Sequence, residues 1–79
     1  MKGLTERMQL AKIILRELSR QPLCYTELDK RTVLRFGTHF TFEGMFRYLV
    51  QGGYVQKSEQ KLRAAYVITE KGTKLMEAI

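Results

Sequence analysis

A chain of 79 residues has material for one small core and no second, ligand-sensing domain, because a polypeptide this short buries only about 60% of the surface it exposes when unfolded. An apolar fraction of 44% and a charged fraction of 28% exclude a disordered chain, and the longest apolar run, residues 64–68, falls far short of the ~20 residues of a membrane span. The net charge of +6 bounds the partner to something rich in negative charge: DNA, RNA, an acidic membrane surface or an acidic protein.

Leu4, Met8, Ala11, Leu15 and Leu18 recur at steps of three and four, which predicts an amphipathic helix over residues 4–19. Thr5 or Gly3 supplies its start, and Gln21-Pro22 ends it, since the residue before a proline is pushed out of helical geometry. Leu10 and Ile13 fall off the stripe. Leu23-Cys24-Tyr25 reads as a short extended piece. Thr26, with Asp29 three positions on, reads as the cap of a short second helix over 26–33 that turns Leu28 and Val33 inward. Residues 34–40, with Gly37 and Thr38 among them, read as a turn.

A third helix is predicted over 41–51, with Phe42, Met45, Phe46 and Leu49 on its inner side. Glu43, Gly44, Arg47 and Gln51 fall on the opposite side with Tyr48 at its edge, and Gly52-Gly53 supplies the left-handed cap. Two strands follow, over 54–58 and 65–69, the second rich in β-branched and aromatic residues. Between them 59–63 is a charged tip. Thr69 caps a last helix over 70–79 with Leu75, Met76 and Ile79 inward.

The charge is not spread evenly. Between Lys30 and Arg63 seven basic residues meet two acidic ones, Glu43 and Glu59, so nearly the whole surplus sits mid-chain. Cys24 stands alone, which excludes an internal disulfide and a cysteine-based zinc site, and His39 has no ligand cluster at metal spacing. No nucleophile with a base, paired carboxylates or phosphate-cradling glycine loop is present, so an enzyme is not expected, nor are a cofactor or a metal. The first residues lack the apolar core of a secretory signal, and a cytoplasmic location is expected.

Two helices joined by a turn, followed by two strands with a charged tip, are the order of a winged helix-turn-helix. From about Thr26 onward the chain resembles the small stand-alone winged helix-turn-helix regulators common in archaea. The resemblance rests on Tyr66-Val67-Ile68-Thr69-Glu70-Lys71-Gly72-Thr73-Lys74-Leu75, similar to the second wing strand running into a threonine-capped helix. It rests also on Tyr48-Leu49 followed by Gly53-Tyr54-Val55, similar to a recognition helix ending in a glycine turn. The chain departs from the family in the longer stretch 33–40 and in ending at Ile79 without the long helix through which many members pair.

The resemblance implies an α+β fold spanning residues 1–79, with a three-helix core, a wing of two or three strands and a short C-terminal helix. It also implies sequence-specific binding of double-stranded DNA in transcription regulation. The third helix would enter the major groove, with Thr41, Gly44, Arg47 and Tyr48 nearest the bases. Arg47 would face guanine, and Gly44 would let the helix backbone come close; alternatively Arg47 is a solvated arginine and Gly44 a packing accommodation. Glu43 opposes phosphate and is read as favouring the helix N-terminus through the dipole.

Thr38 and His39 precede the helix as further contacts. Lys61 and Arg63 at the tip would meet phosphate or the minor groove, and Lys30, Arg31 and Arg35 would flank the backbone as positioning contacts. Leu62 either folds back onto the core or touches a partner, and the aromatic residues are read as packing. A homodimer on a two-fold site is expected, through Leu10, Ile13 and any exposed part of Met76 and Ile79. The alternative function is a protein-interaction module of the same fold with no DNA role.

Overall fold

Helical periodicity sets the first half of the molecule and β-branched, aromatic strands the second. The computed structural model describes residues 4–37, 39–60 and 64–79. Its elements run α1 (Leu4–Arg20), α2 (Tyr25–Phe36), α3 (His39–Gln51), β1 (Val55–Lys57), β2 (Tyr66–Ile68) and α4 (Glu70–Ala78). The result is an α+β architecture of four helices and a two-stranded antiparallel sheet among the described residues. The radius of gyration, 11.7 Å, is that of a folded chain of this length, about 11.6 Å. Among the described residues no helix is long and apolar enough to cross a membrane.

Along α1 Ala11, Leu15 and Leu18 of the stripe are buried and Met8 half-buried, joined by Ile14, which the stripe omitted; the Leu4 side chain lies outside the described residues. Leu10 and Ile13 are half-buried against the same core. Pro22 follows α1, and Leu23 then makes a single antiparallel bridge to Tyr66, its N–H donating to the Tyr66 carbonyl at 3.2 Å and its carbonyl accepting at 2.8 Å. The extended piece thus serves as a one-residue third strand beside β2. The β1–β2 register sets Val55 opposite Ile68 and Lys57 opposite Tyr66.

The second helix corrects the sequence expectation at both ends. It begins one residue early, with Cys24 rather than Thr26 as N-cap: Cys24 is extended, makes no side-chain cap bond, and its carbonyl accepts from the Leu28 N–H at 2.9 Å. Tyr25 is helical because its ring packs on Phe42 and Phe46. The helix then continues past Val33 to Phe36, so residues 34–36 are not turn. Its buried stripe is Leu28, Thr32 and Phe36, with Val33 only half-buried. A threonine takes a core position here because its hydroxyl donates back to the Leu28 carbonyl at 2.8 Å, which leaves no donor unsatisfied.

Gly37 ends α2 at φ 84°, a backbone that only glycine takes without strain, and its N–H donates to the Val33 carbonyl at 2.8 Å. The connection to α3 is correspondingly short. The third helix starts at His39 rather than Thr41. Thr38, Lys61, Leu62 and Arg63 lie outside the described residues, as do the side chains of His39 and Phe40.

Phe42 and Leu49 on α3 are fully buried, and Met45 and Phe46 nearly so. Phe42 lies 5.4 Å from Tyr25, 5.6 Å from Phe36 and 5.7 Å from Phe46, ring centroid to ring centroid, and Phe46 meets Tyr66 edge-on at 4.8 Å. Edge-to-face and offset contacts at these distances each add ~0.5–1.5 kcal/mol beyond burial. One aromatic cluster therefore fixes α3 against both α2 and the sheet.

The end of α3 is tied to the start of α4. Gly53 takes φ 80° in the turn, and its carbonyl accepts from the Thr69 hydroxyl at 2.7 Å. The same hydroxyl caps α4 by accepting from the Gly72 N–H at 3.1 Å. Lys71 donates to the Gly52 carbonyl at 2.7 Å, and its ammonium lies 4.8 Å from the centre of the Tyr54 ring. Gly72 is buried because α4 passes so close to β1 that a Cβ there would collide with the Tyr54 carbonyl oxygen.

Replacing Gly72 by alanine is expected to cost ~1–3 kcal/mol or more from overpacking against backbone, where the same change in an open helix stabilises by up to ~1 kcal/mol. Thr69→Ala is expected to cost ~1 kcal/mol as a lost cap. Both are read as a lower denaturation midpoint at unchanged m-value.

Candidate functional site

The inner face of α3 is occupied, which dictates what its outer face can present. Gly44, Arg47, Tyr48, Val50 and Gln51 are exposed, with Thr41 and Glu43 half-buried at the margins. Arg47 donates to Glu43 at 3.2 Å, one helical turn back. Since α3 begins at His39, Glu43 lies beyond the first turn, which carries no acidic residue. Its role is thus to pair with Arg47, not to complement the helix N-terminus. An exposed i,i+4 pair of this kind is worth ~0.3–0.5 kcal/mol and is readily exchanged for another acceptor.

Gly44 sits in the middle of α3, exposed, with nothing within 4 Å of where a Cβ would be. Among the described residues packing gives no explanation for it. A helix-interior glycine costs ~1 kcal/mol relative to alanine, and no neighbour within the described structure asks for the missing side chain. Tyr48, 42% exposed, stacks on Tyr54 at 6.0 Å, so its ring lies along the turn with its remaining surface open to solvent.

Beside Arg47 a groove of about 270 Å³ runs between α3, the start of α2 and β2, lined by Tyr25, Glu43, Phe46, Arg47, Val50 and Tyr66. Tyr25, Tyr66 and Val50 are residues that periodicity had assigned to packing or left unassigned. Burial above all, and then the negative charges of Glu43 and Asp29, hold the Tyr25 hydroxyl above the ordinary tyrosine value, against a smaller opposing effect of Arg47.

The remaining predicted contacts spread over other surfaces. Lys30 and Arg31 are exposed on α2, where Arg31 pairs with Glu27 at 3.6 Å. Arg35, in the last turn of α2, lines a pocket of about 240 Å³ with Gln9, Lys12, Ile13 and Arg16 of α1 rather than facing α3. Charge counting had placed Lys12 and Arg16 in a near-neutral flank. The sequence signal for them was the run Lys12, Arg16, Arg20 at four-residue steps, with Glu17 the one acid between them.

Among the described residues no group of three His, Cys, Asp or Glu lies together that could hold a metal ion. Compared with known proteins, the chain matches no family profile, no curated protein and no solved structure.

The raised Tyr25 pKa has a signed consequence. The folded state holds the hydroxyl proton more tightly than the unfolded chain, so this contribution is fully present below about pH 10 and is lost as pH rises through the higher folded value. Tyr25→Phe is expected to flatten the loss of stability above about pH 10, measured by denaturant midpoints at stepped alkaline pH. An unchanged alkaline slope would contradict the assignment.

Proposed function

We propose that this protein binds double-stranded DNA as a winged helix-turn-helix regulator of transcription, with α3 as recognition helix and the β1–β2 connection as wing. The observation that carries the reading is the outer face of α3. A glycine whose Cβ would meet nothing among the described residues stands one turn before an exposed arginine, on a helix clamped by the aromatic cluster. A missing side chain there lets a bulky, flat partner approach the helix backbone. Arg47 then exchanges its weak pair with Glu43 for two acceptors on a guanine edge, which is worth ~1–3 kcal/mol of base discrimination.

Charge supports the same partner. Most of the +6 surplus falls between Lys30 and Arg63, the stretch that holds α3 and the wing. Lys61 and Arg63 belong to that wing and take the backbone role in this reading, with Lys30 and Arg31 beside α2. A cytoplasmic setting follows from the function. Two copies on a two-fold site would raise affinity and specificity beyond what one small domain achieves, using Ile79 and the partly exposed surfaces of Leu10, Ile13 and Met76.

Protein contact is the second reading. Leu34, 94% exposed on α2, is the observation on its side. A single exposed leucine is ordinary on a soluble surface, and the groove beside Arg47 is flanked by charge rather than bare.

Selection from a randomised duplex library, followed by binding of variants to the winner and to a scrambled duplex, tests the proposal. Arg47→Ala is expected to narrow the gap between the two duplexes by roughly 5- to 100-fold, mainly through the winner. Gly44→Ala is expected to raise stability by up to ~1 kcal/mol while weakening the winner. A library without enrichment, or a Gly44→Ala protein that binds as well as the parent, would overturn this use of α3.

A further inference from the structure

Three cations elsewhere on this surface are paired in one way. Glu27 pairs with Arg31, Glu43 with Arg47 and Glu70 with Lys74, each acid four residues before its base. The outer face of α1 breaks the pattern. Lys12 and Arg16 stand four residues apart with the same sign, an arrangement that destabilises a helix. Arg35 reaches the same place from the last turn of α2.

These three cations, with Gln9 and Ile13, line one pocket of about 240 Å³, and among the described residues no carboxylate lines it. Lys12 is held there by donating to the main-chain oxygen of Ile79 at 3.3 Å. The pocket therefore combines an apolar base at Ile13, an amide donor and acceptor at Gln9, and three cations. The two arginines offer planar forks matched to tetrahedral oxyanions.

We infer that this α1–α2 pocket binds phosphate groups, as a second anion site separate from the outer face of α3. An anion is what makes three like charges at one place favourable. Two clustered guanidiniums and an ammonium select phosphate over a single carboxylate, because several oxygens can be satisfied at once. The phosphate comes either from a free polyphosphate or from the backbone of a nucleic acid. The site does not depend on the proposed role of α3, since no residue of α3 lines it.

The test is an amide-resolved NMR titration of the full chain with sodium tripolyphosphate at matched ionic strength. Saturable shifts are expected at Gln9, Lys12, Ile13, Arg16 and Arg35. The Arg16→Gln/Arg35→Gln protein should bind roughly tenfold more weakly or worse. Both residues are exposed, so the double variant keeps the core, and Arg47→Gln serves as the control that retains binding.

A parallel titration uses a duplex of roughly one helical turn, about 10 bp. If the same amides move and tripolyphosphate competes, the site takes nucleic-acid phosphate; if they stay still, it takes the free ligand. Absence of saturable shifts, or equal affinity in the double variant, would overturn the proposal, whatever α3 does with DNA.

Discussion

The junction between α3 and α4 is the constraint on which the rest of the fold hangs. One hydroxyl, that of Thr69, donates to the Gly53 carbonyl and accepts from the Gly72 N–H, so it binds the turn after α3 to the first turn of α4. Lys71 adds a second tie to the Gly52 carbonyl, and Gly72 lets the helix reach the backbone of Tyr54. Gly52 and Lys71 stand 19 positions apart, and the chain closed between them includes β1 and β2. Thr69, Lys71 and Gly72 are thus structural: each satisfies or makes room for backbone at one point.

The aromatic cluster does for the front of α3 what the junction does for its end. Tyr25, Phe36, Phe42, Phe46 and Tyr66 come from α2, α3 and β2, and their rings interlock at 4.8 to 5.7 Å. A helix held at both ends has little freedom to roll. Its outer face is therefore a fixed template, and side-chain identities there set what can dock. That is the physical link from core packing to the proposed contact with DNA.

How much was legible in the sequence follows from range. The α1 stripe, the inner face of α3, the strands and the Thr69 cap all depend on neighbours within four residues, and they were read within a residue or two. The α2–α3 region was not. Thr32 looks polar until its hydroxyl is seen to bond four residues back, and without it the stripe from Leu28 to Phe36 breaks early. The late start assigned to α3 then shifted Glu43 into its first turn, which hid the pairing with Arg47. The Arg47–Gly44 face was readable from spacing. The empty space around Gly44 and the stacking of Tyr48 on Tyr54 depend on how the turn after α3 folds, and the meeting of Arg35 with Lys12 and Arg16 joins distant chain segments, so no local pattern announces them.

Binding of duplex DNA is the central claim, and its most direct measurement is fluorescence anisotropy of a labelled random duplex titrated with the protein at several salt concentrations. The account predicts measurable affinity at roughly 50 mM salt and a log–log fall with salt, with a slope near −0.9 for each phosphate contacted. No binding at that salt, or an affinity indifferent to salt, would contradict it and leave protein contact as the better reading of the same surface.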